Sequence, residues 1–351
     1  MKIGRNDSGV ERLYVQIKSL MDNAREHAWV AVNFVMVQAY WSIGRLILLE
    51  EQKGKSRAEY GRRLVEVLAA RLSRDYGKGF DPSNVWNMRA FYSAYPILDA
   101  VRRELSWTHY RLLLRVEKAD ARAFYETEAV NARWSTRELE RQINSLLFER
   151  LALSRDKKGV KALAARGHEI AAAVDLVKDP YVLEFTGLRQ DARFLETDLE
   201  QALISKLQQF LLELGKGFAF MARQQRITLD GTHFFVDLVF YNRLTRSYIL
   251  LDLKVGKLTH QDIGQMQMYV NYFERELTSP GENPPIGIIL CADKGDAVVR
   301  YTLPKGNKQI FASRYKLYLP SEAELVRELA EEQRILGTRK KPVTPKQRGQ
   351  K

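Results

Sequence analysis

Through the first 150 residues, apolar side chains recur every three to four positions, the spacing that gives a helix one buried face. The pattern predicts helices over 10–24, 28–49, 57–74, 84–95 and 136–151. Ser135 and Glu138 form a capping box at the start of the last of these, each side chain satisfying a free backbone N–H at the helix end. Asp81-Pro82-Ser83 opens the helix that carries Trp86, Arg89 and Tyr92, and Pro96 stops it. The most apolar early stretch, 28–49, is interrupted by Asn33, Gln38, Ser42 and Arg45. It is therefore expected to be a buried helix rather than a membrane span.

A polar stretch at 154–159 and a break at Asp179-Pro180 separate this half from a second pattern. A helix over 198–214 ends at Gly215-Lys216-Gly217. Strand-like runs come next at 218–229, 233–241 and 247–255, joined by Asp230-Gly231 and by a short connection at 242–246. A helix over 259–277, strands over 286–291 and 309–317, and a helix over 321–336 complete the order. The expected fold is α+β overall, an all-helical first domain before an α/β domain whose mixed sheet is flanked by helices. The expected boundaries are 1–155 for the helical domain, 156–180 for a linker, 181–336 for the α/β domain and 337–351 for a disordered tail.

Charge adds a partner to this picture. The chain of 351 residues has a net charge of +13, unevenly spread. Residues 1–155 carry 26 basic and 19 acidic side chains, and 337–351 carry 6 basic and no acidic ones, whereas the stretch between is balanced. A basic front and a basic tail suit a polyanion, of which nucleic acid is the commonest. The one cysteine, Cys291, excludes a disulfide framework and a multi-thiolate zinc site. With no apolar leader at Met1–Asp7, the expected location is the cytoplasm.

The candidate chemistry lies where sheet packing fails to explain the residues. In 233–241 the period of two places Phe234, Val236, Leu238 and Phe240 on one face and Phe235, Asp237 and Val239 on the other. Asp237 is the single charge. In 247–255, Ile249, Leu251 and Leu253 share one face, and Leu250, Asp252 and Lys254 the other. The hairpin brings Asp237 to the neighbouring strand, so two carboxylates and a lysine converge. Like charges at close range repel unless a cation sits between them, and a hard divalent ion such as Mg²⁺ takes oxygen ligands of this kind. A buried Asp–Lys salt bridge with a spare carboxylate is the competing reading.

Asp237 followed after 14 residues by Asp252-Leu253-Lys254 resembles the PD-(D/E)XK nuclease motif. The flanking words Phe235-Val236-Asp237-Leu238-Val239-Phe240-Tyr241, Leu251-Asp252-Leu253-Lys254-Val255-Gly256 and Gly264-Gln265-Met266-Gln267-Met268-Tyr269 resemble the YhcG family of bacterial PD-(D/E)XK proteins. So do 77–96, 105–110 and 134–150. The resemblance implies a restriction-endonuclease-like α/β domain and metal-dependent hydrolysis of phosphodiesters in nucleic acid, with DNA the expected form. It implies one Mg²⁺ held by Asp237 and Asp252, or two with help from Glu200, with Mn²⁺ as substitute. It also implies an acidic residue on the helix before the first strand, for which Glu200 fits better than Glu196 or Glu213, and a glutamine on the helix after the lysine, for which Gln265 fits, with Tyr269 one turn on. Val236 stands where the family name has proline, whose side chain binds nothing.

Candidate nucleic-acid contacts are Tyr269 and, on capped helices of the basic domain, Arg89 and Arg137; the resemblance suggests a helix-turn-helix-like form for that domain. The aromatics nearby, Trp86, Trp107, Tyr110 and Trp134, read as core. The five histidines lie in five separate segments without metal-ligand spacing, and neither a P-loop nor a G-x-S-x-G elbow is present. The leading expectation is a nuclease acting in defence against foreign DNA or in repair. The competing ones are a catalytically silent nucleic-acid-binding protein and an interaction subunit of a restriction or toxin–antitoxin system. A homodimer is expected if both strands of a duplex are cut, and a partner protein if the chain belongs to a defence system.

Overall fold

The computed structural model describes residues 7–53, 58–152, 157–189, 193–304, 306–321, 323–325 and 327. The predicted helix 321–336 falls largely, and the tail 337–351 wholly, outside them. The chain divides into two compact units, Met1–Glu140 and Arg141–Lys351.

The first unit is helical: α1 (Asp7–Lys53), α2 (Ala58–Tyr76), α3 (Pro82–Ala94), α4 (Trp107–Leu113), α5 (Ala119–Asn131) and the start of α6 (Thr136–Asn144). The two predicted segments 10–24 and 28–49 are one 47-residue helix, because Arg25-Glu26-His27 contains no breaker. Asp81 caps α3 by accepting from the Asn84 N–H at 3.1 Å. The aromatics are core, as expected. Phe91 and Tyr110 are fully buried, and Trp107 donates its indole N–H to Asn84 at 2.9 Å. Gly44 lets α1 approach α3, since a Cβ there would run into the Met88 carbonyl oxygen.

The expectation of a buried 28–49 helix is corrected. Val37 and Ile47 are buried, but Trp29, Val32 and Leu46 are each more than 60 % exposed. Apolar side chains encircle this stretch rather than lining one stripe, so its neighbours, chiefly α3 with parts of α2 and α4, cover only some of it.

The second unit begins with the end of α6, α7 (Leu147–Ala152) and α8 (Lys157–Arg166). Leu146, at φ 53°, separates α6 from α7 and splits the predicted 136–151 helix. A short strand, β1 (Tyr181–Val182), precedes α9 (Glu196–Ser205) and α10 (Leu207–Leu214), which break at Lys206. The strands β2 (Phe218–Leu229), β3 (Thr232–Asn242) and β4 (Ser247–Lys257) form an antiparallel meander. Helix α11 (His260–Tyr272) crosses over to β5 (Ile286–Asp293), and α12 (Asp296–Thr302) leads to β6 (Ile310–Lys316). The sheet order is β1-β6-β5-β4-β3-β2, with β4, β5, β6 and β1 parallel. The mixed sheet expected from sequence is present, with β1 and α12 added to it.

Each face of the sheet carries its own core. Leu199, Leu203, Phe210 and Leu214 of α9 and α10 pack with Leu238, Phe240, Ile249, Leu251 and Leu253. Ile263, Met266, Tyr269 and Val270 of α11 pack with Val236, Val239, Leu250, Ile289 and Cys291 on the other side. A bulge at Met221 shifts the β2–β3 register, and Gln224 adopts φ 48° opposite Asp237. Beyond this point the hairpin rotates. Phe234 and Val236 face the α11 side, whereas Leu238 and Phe240 face α9 and α10. The simple alternation expected along β3 is therefore corrected: the strand changes face at Asp237.

Candidate active site

Three strands and two helices bring the expected residues to one end of β4. Asp252 and Lys254 project from the α11 side of β4, on the face shared with Leu250. Two faces of cover leave Asp252 only 2 % exposed, and its Oδ2 makes no hydrogen bond although Lys254 Nζ lies 3.3 Å away. Asp237 stands on the adjacent strand. Its Oδ2 accepts the Leu253 N–H at 2.8 Å, and its Oδ1 accepts from the Gln224 amide at 3.0 Å. The pairing of β3 with β4 ends at Leu238–Leu251, so these groups sit where the sheet opens.

The electrostatics arise from that placement. Burial pushes the Asp252 carboxyl up to about 7; neighbouring Asp237 adds to this, and Lys254 only partly offsets it. Burial likewise raises Asp237, against the hydrogen bonds from Leu253 and Gln224. Burial would lower Lys254, but Asp252, Glu196 and Asp262 raise it above the ordinary lysine value, so it is a fixed ammonium. Glu196, on the first turn of α9, lies 3.5 Å from Lys254, and Asp262, on the first turn of α11, 3.8 Å. Asp262 is held in place by its capping box with Thr259.

Glu200 is brought near, but not to the pair directly. Its carboxylate accepts from Arg223 at 2.5 Å and from Gln224 at 2.6 Å, and Gln224 in turn reaches Asp237. Gln265 donates to the Tyr269 hydroxyl, which donates to the Phe235 carbonyl at 2.8 Å. Helix α11 thus fixes β3 next to Asp237. Tyr269 is fully buried in the core between α11 and the sheet, so its expected role as a nucleic-acid contact is corrected. Glu213 is elsewhere, buried against Arg150 at 2.5 Å and Arg141 at 3.2 Å. Arg89, in the first unit, forms a forked ion pair with Glu51 at 2.7 and 2.8 Å and stacks over Trp86. Arg137 is exposed.

Sequence alone singles out neither Gln224 nor Arg223. The signal for Gln224 is geometric: a non-glycine residue in the left-handed region, opposite the one charged residue of the neighbouring strand. A polar residue on a half-exposed edge strand gives no such sign in sequence.

The donor set fits a hard divalent cation. Two carboxylates meet beside an ammonium, one oxygen is buried without a hydrogen bond, and burial raises both carboxyls above their ordinary range. A cation of the Mg²⁺ type takes one or two carboxylates and keeps its waters. Among the described residues no cluster of three or more His, Cys, Asp or Glu side chains stands at metal-binding distance. The fit therefore rests on Asp237 and Asp252, with Glu200 acting through Gln224.

A six-stranded mixed sheet flanked by helices, with Asp237 and Asp-x-Lys at the end of adjacent strands, defines a PD-(D/E)XK domain. Residues 174–330 match the YhcG PDDEXK nuclease domain, and residues 16–150 match the DUF1016 N-terminal domain. The chain is 38 % identical to the Escherichia coli (strain K12) protein named "Putative nuclease YhcG", over 94 % of this chain and 96 % of that one. The chain belongs to the YhcG family. A repair endonuclease from Pyrococcus abyssi aligns over 37 % of this chain and 50 % of its own, at 18 % identity and a TM-score of 0.25, a likeness too remote to inform function.

Proposed function

We propose that the chain is a divalent-metal-dependent endonuclease that hydrolyses phosphodiester bonds, with DNA as substrate and Mg²⁺ as the working ion. The observation that carries this reading is the meeting of Asp237, Asp252 and Lys254, with a buried Asp252 oxygen left without a hydrogen bond. Asp237 and Asp252 would hold the ion. When bound, the ion supplies Lewis-acid polarisation of the scissile phosphate and lowers the pKa of an attacking water.

The chain's own groups do the rest. Lys254 remains protonated, so it acts as a hydrogen-bond donor rather than a base. Its ammonium orients the attacking water and stabilises charge that develops on a non-bridging phosphate oxygen. Glu196 and Asp262 hold that ammonium in place. Gln224 couples Glu200 to Asp237 and fixes the latter's rotamer. The Gln265–Tyr269 pair anchors the neighbouring backbone through Phe235.

Nucleic acid would approach along the hairpin. Arg226, Thr228, His233 and Phe235 are exposed or half-exposed there, on the stretch of β2 and β3 beyond Asp237. Arg137 and the basic first unit would add sequence-independent phosphate contacts. Arg89 is a structural residue in this reading, because its charge is already paired. A role in defence or repair, a cytoplasmic location and a partner protein belong to the same proposal.

The test is a cleavage screen on supercoiled plasmid, linear duplex, single strands, branched DNA and RNA, with Mg²⁺, Mn²⁺ or EDTA. Asp252→Ala and Lys254→Ala are run beside the unchanged chain. Products that need the metal and vanish in both variants are expected. Salt-sensitive binding without any product would favour a binding protein instead.

A further inference from the structure

Toward the hairpin turn, β3 loses its partner β4 at Leu238 and runs on beside β2 as a two-stranded ribbon. The ribbon has two unlike faces. Ile227, Phe234 and Val236 turn toward α11 and belong to the core on that side. Arg226 stands opposite Phe235, and Thr228 opposite His233, so these four share the other face. All four are exposed.

Phe235 is out of place there. Among the phenylalanines of β3 it alone lies outside both cores, and 45 % of it is exposed. No ring or guanidinium among the described residues stacks on it. Its backbone is nevertheless fixed, because its carbonyl accepts the Tyr269 hydroxyl at 2.8 Å. A lone exposed apolar side chain is ordinary. This one stands two residues from Asp237, about 7 Å along the strand. It also faces a cation across the ribbon, and Arg226 makes no hydrogen bond or ion pair among the described residues.

Ring and cation together match one nucleotide. An aromatic face takes the face of a base, and a guanidinium takes a phosphate. In a duplex the neighbouring pairs cover both faces of every base, so only an unpaired base can meet Phe235. Groove reading is the rival, since a two-stranded ribbon fits a major groove. It needs a row of polar groups free to meet base edges. Here the Thr228 hydroxyl and His233 Nδ1 bond to each other at 2.9 Å, which leaves Arg226 and a ring.

We infer that Phe235 stacks on an unpaired base while Arg226 holds an adjacent phosphate, so that the DNA strand reaches the Asp237–Asp252 centre single-stranded. This rests on the reading of that centre as the cleavage site.

Binding of the full chain is measured in EDTA, without metal-dependent cleavage, by fluorescence anisotropy of a labelled single strand, its blunt duplex, and an all-abasic strand that keeps the phosphates. The intact single strand should bind tighter than either. Phe235→Ala should weaken it about tenfold, the loss of one base–aromatic stack, and leave the duplex and the abasic strand unchanged. Phe235→Trp should restore the affinity, which a merely structural role would not require. Arg226→Gln should lower the slope of log affinity against log salt by about 0.7. Both positions are exposed, and circular dichroism checks that each variant is folded. Equal affinity for strand and duplex, no binding of either, or an equal loss on intact and abasic strands in Phe235→Ala overturns the inference even where cleavage proceeds. A base-dependent loss in Phe235→Ala, with no product in any cleavage arm, supports the strand site and sinks the cleavage reading instead.

Discussion

Asp252 makes the second unit less stable toward neutral pH. Its carboxyl titrates at about 7 in the folded chain, against an ordinary value of 3.8. Between those values the folded state holds a proton that the unfolded chain has released. Stability therefore falls as pH rises through this window, and the penalty is complete above about pH 7. In metal-free protein, Asp252→Asn should raise the melting temperature by a few degrees at pH 8 and leave it unchanged near pH 4, as read by scanning calorimetry. Added Mg²⁺ or Mn²⁺ should reverse the order at pH 8, stabilising the unchanged chain and not the variant. Gln224 provides a second test at this scale. A non-glycine residue at φ 48° costs about 1 kcal/mol. Gln224→Gly should thus be more stable than Gln224→Ala by about that amount in urea unfolding. Both should bind Mn²⁺ more weakly in calorimetric titration, since each removes the amide that links Asp237 to Glu200. Asp237, Asp252 and Lys254 were legible in the sequence because charges in an apolar strand are anomalous wherever the strand lies. Gln224 was not, because its importance arises from a backbone angle and a partner across the hairpin.

At the scale of elements, close approaches decide which glycines matter. In α1, Gly44 faces the Met88 carbonyl so tightly that a methyl group forces α1 and α3 apart. Gly44→Ala should cost about 3 kcal/mol in chemical unfolding of the first unit. Gly61→Ala in α2 is the control. Its new methyl would meet only the Glu51 side chain, and the gain in helix propensity of about 1 kcal/mol offsets that contact. The strands from 218 to 317 were readable to within one or two residues, since their turns carry glycine or asparagine and their apolar runs are short. The helix breaks at Leu146 and Lys206 were not, because neither residue is a breaker by type; packing imposes the bend. Period-two reading failed along β3 for a related reason. The strand twists at Asp237, and two apolar faces on either side of a twist look the same in sequence as one strand with two covered faces.

For the whole molecule, a buried ion network ties distant stretches of the second unit together. Glu213 of α10 accepts from Arg150 and Arg141 and from the Val182 N–H, and Lys178 donates to its carbonyl. Burial alone would push its carboxyl up, but Arg150, Lys178 and Arg141 outweigh this and hold it at about 2. A depressed carboxyl contributes stability above its unfolded value of 4.5 and loses it as pH falls toward 2. Glu213→Gln should leave Arg150 buried without its counter-charge and cost about 3–5 kcal/mol, measured by urea unfolding at pH 7. The same loss should shrink to little near pH 2. The sequence offered Glu213 as a weak site candidate, since an acid in a buried helix looks the same whether it meets a metal or an arginine.

Strand β2 is one outer edge of the sheet, twelve residues long, and the other edge, β1, has only two. A long, regular edge is an open template on which strands of other molecules can add and grow into fibrils. The bulge at Met221, the left-handed turn at Gln224 and the charges of Arg223 and Arg226 interrupt that template along its length. The irregularity that sets Gln224 against Asp237 thereby also protects the protein from aggregating along its longest exposed strand.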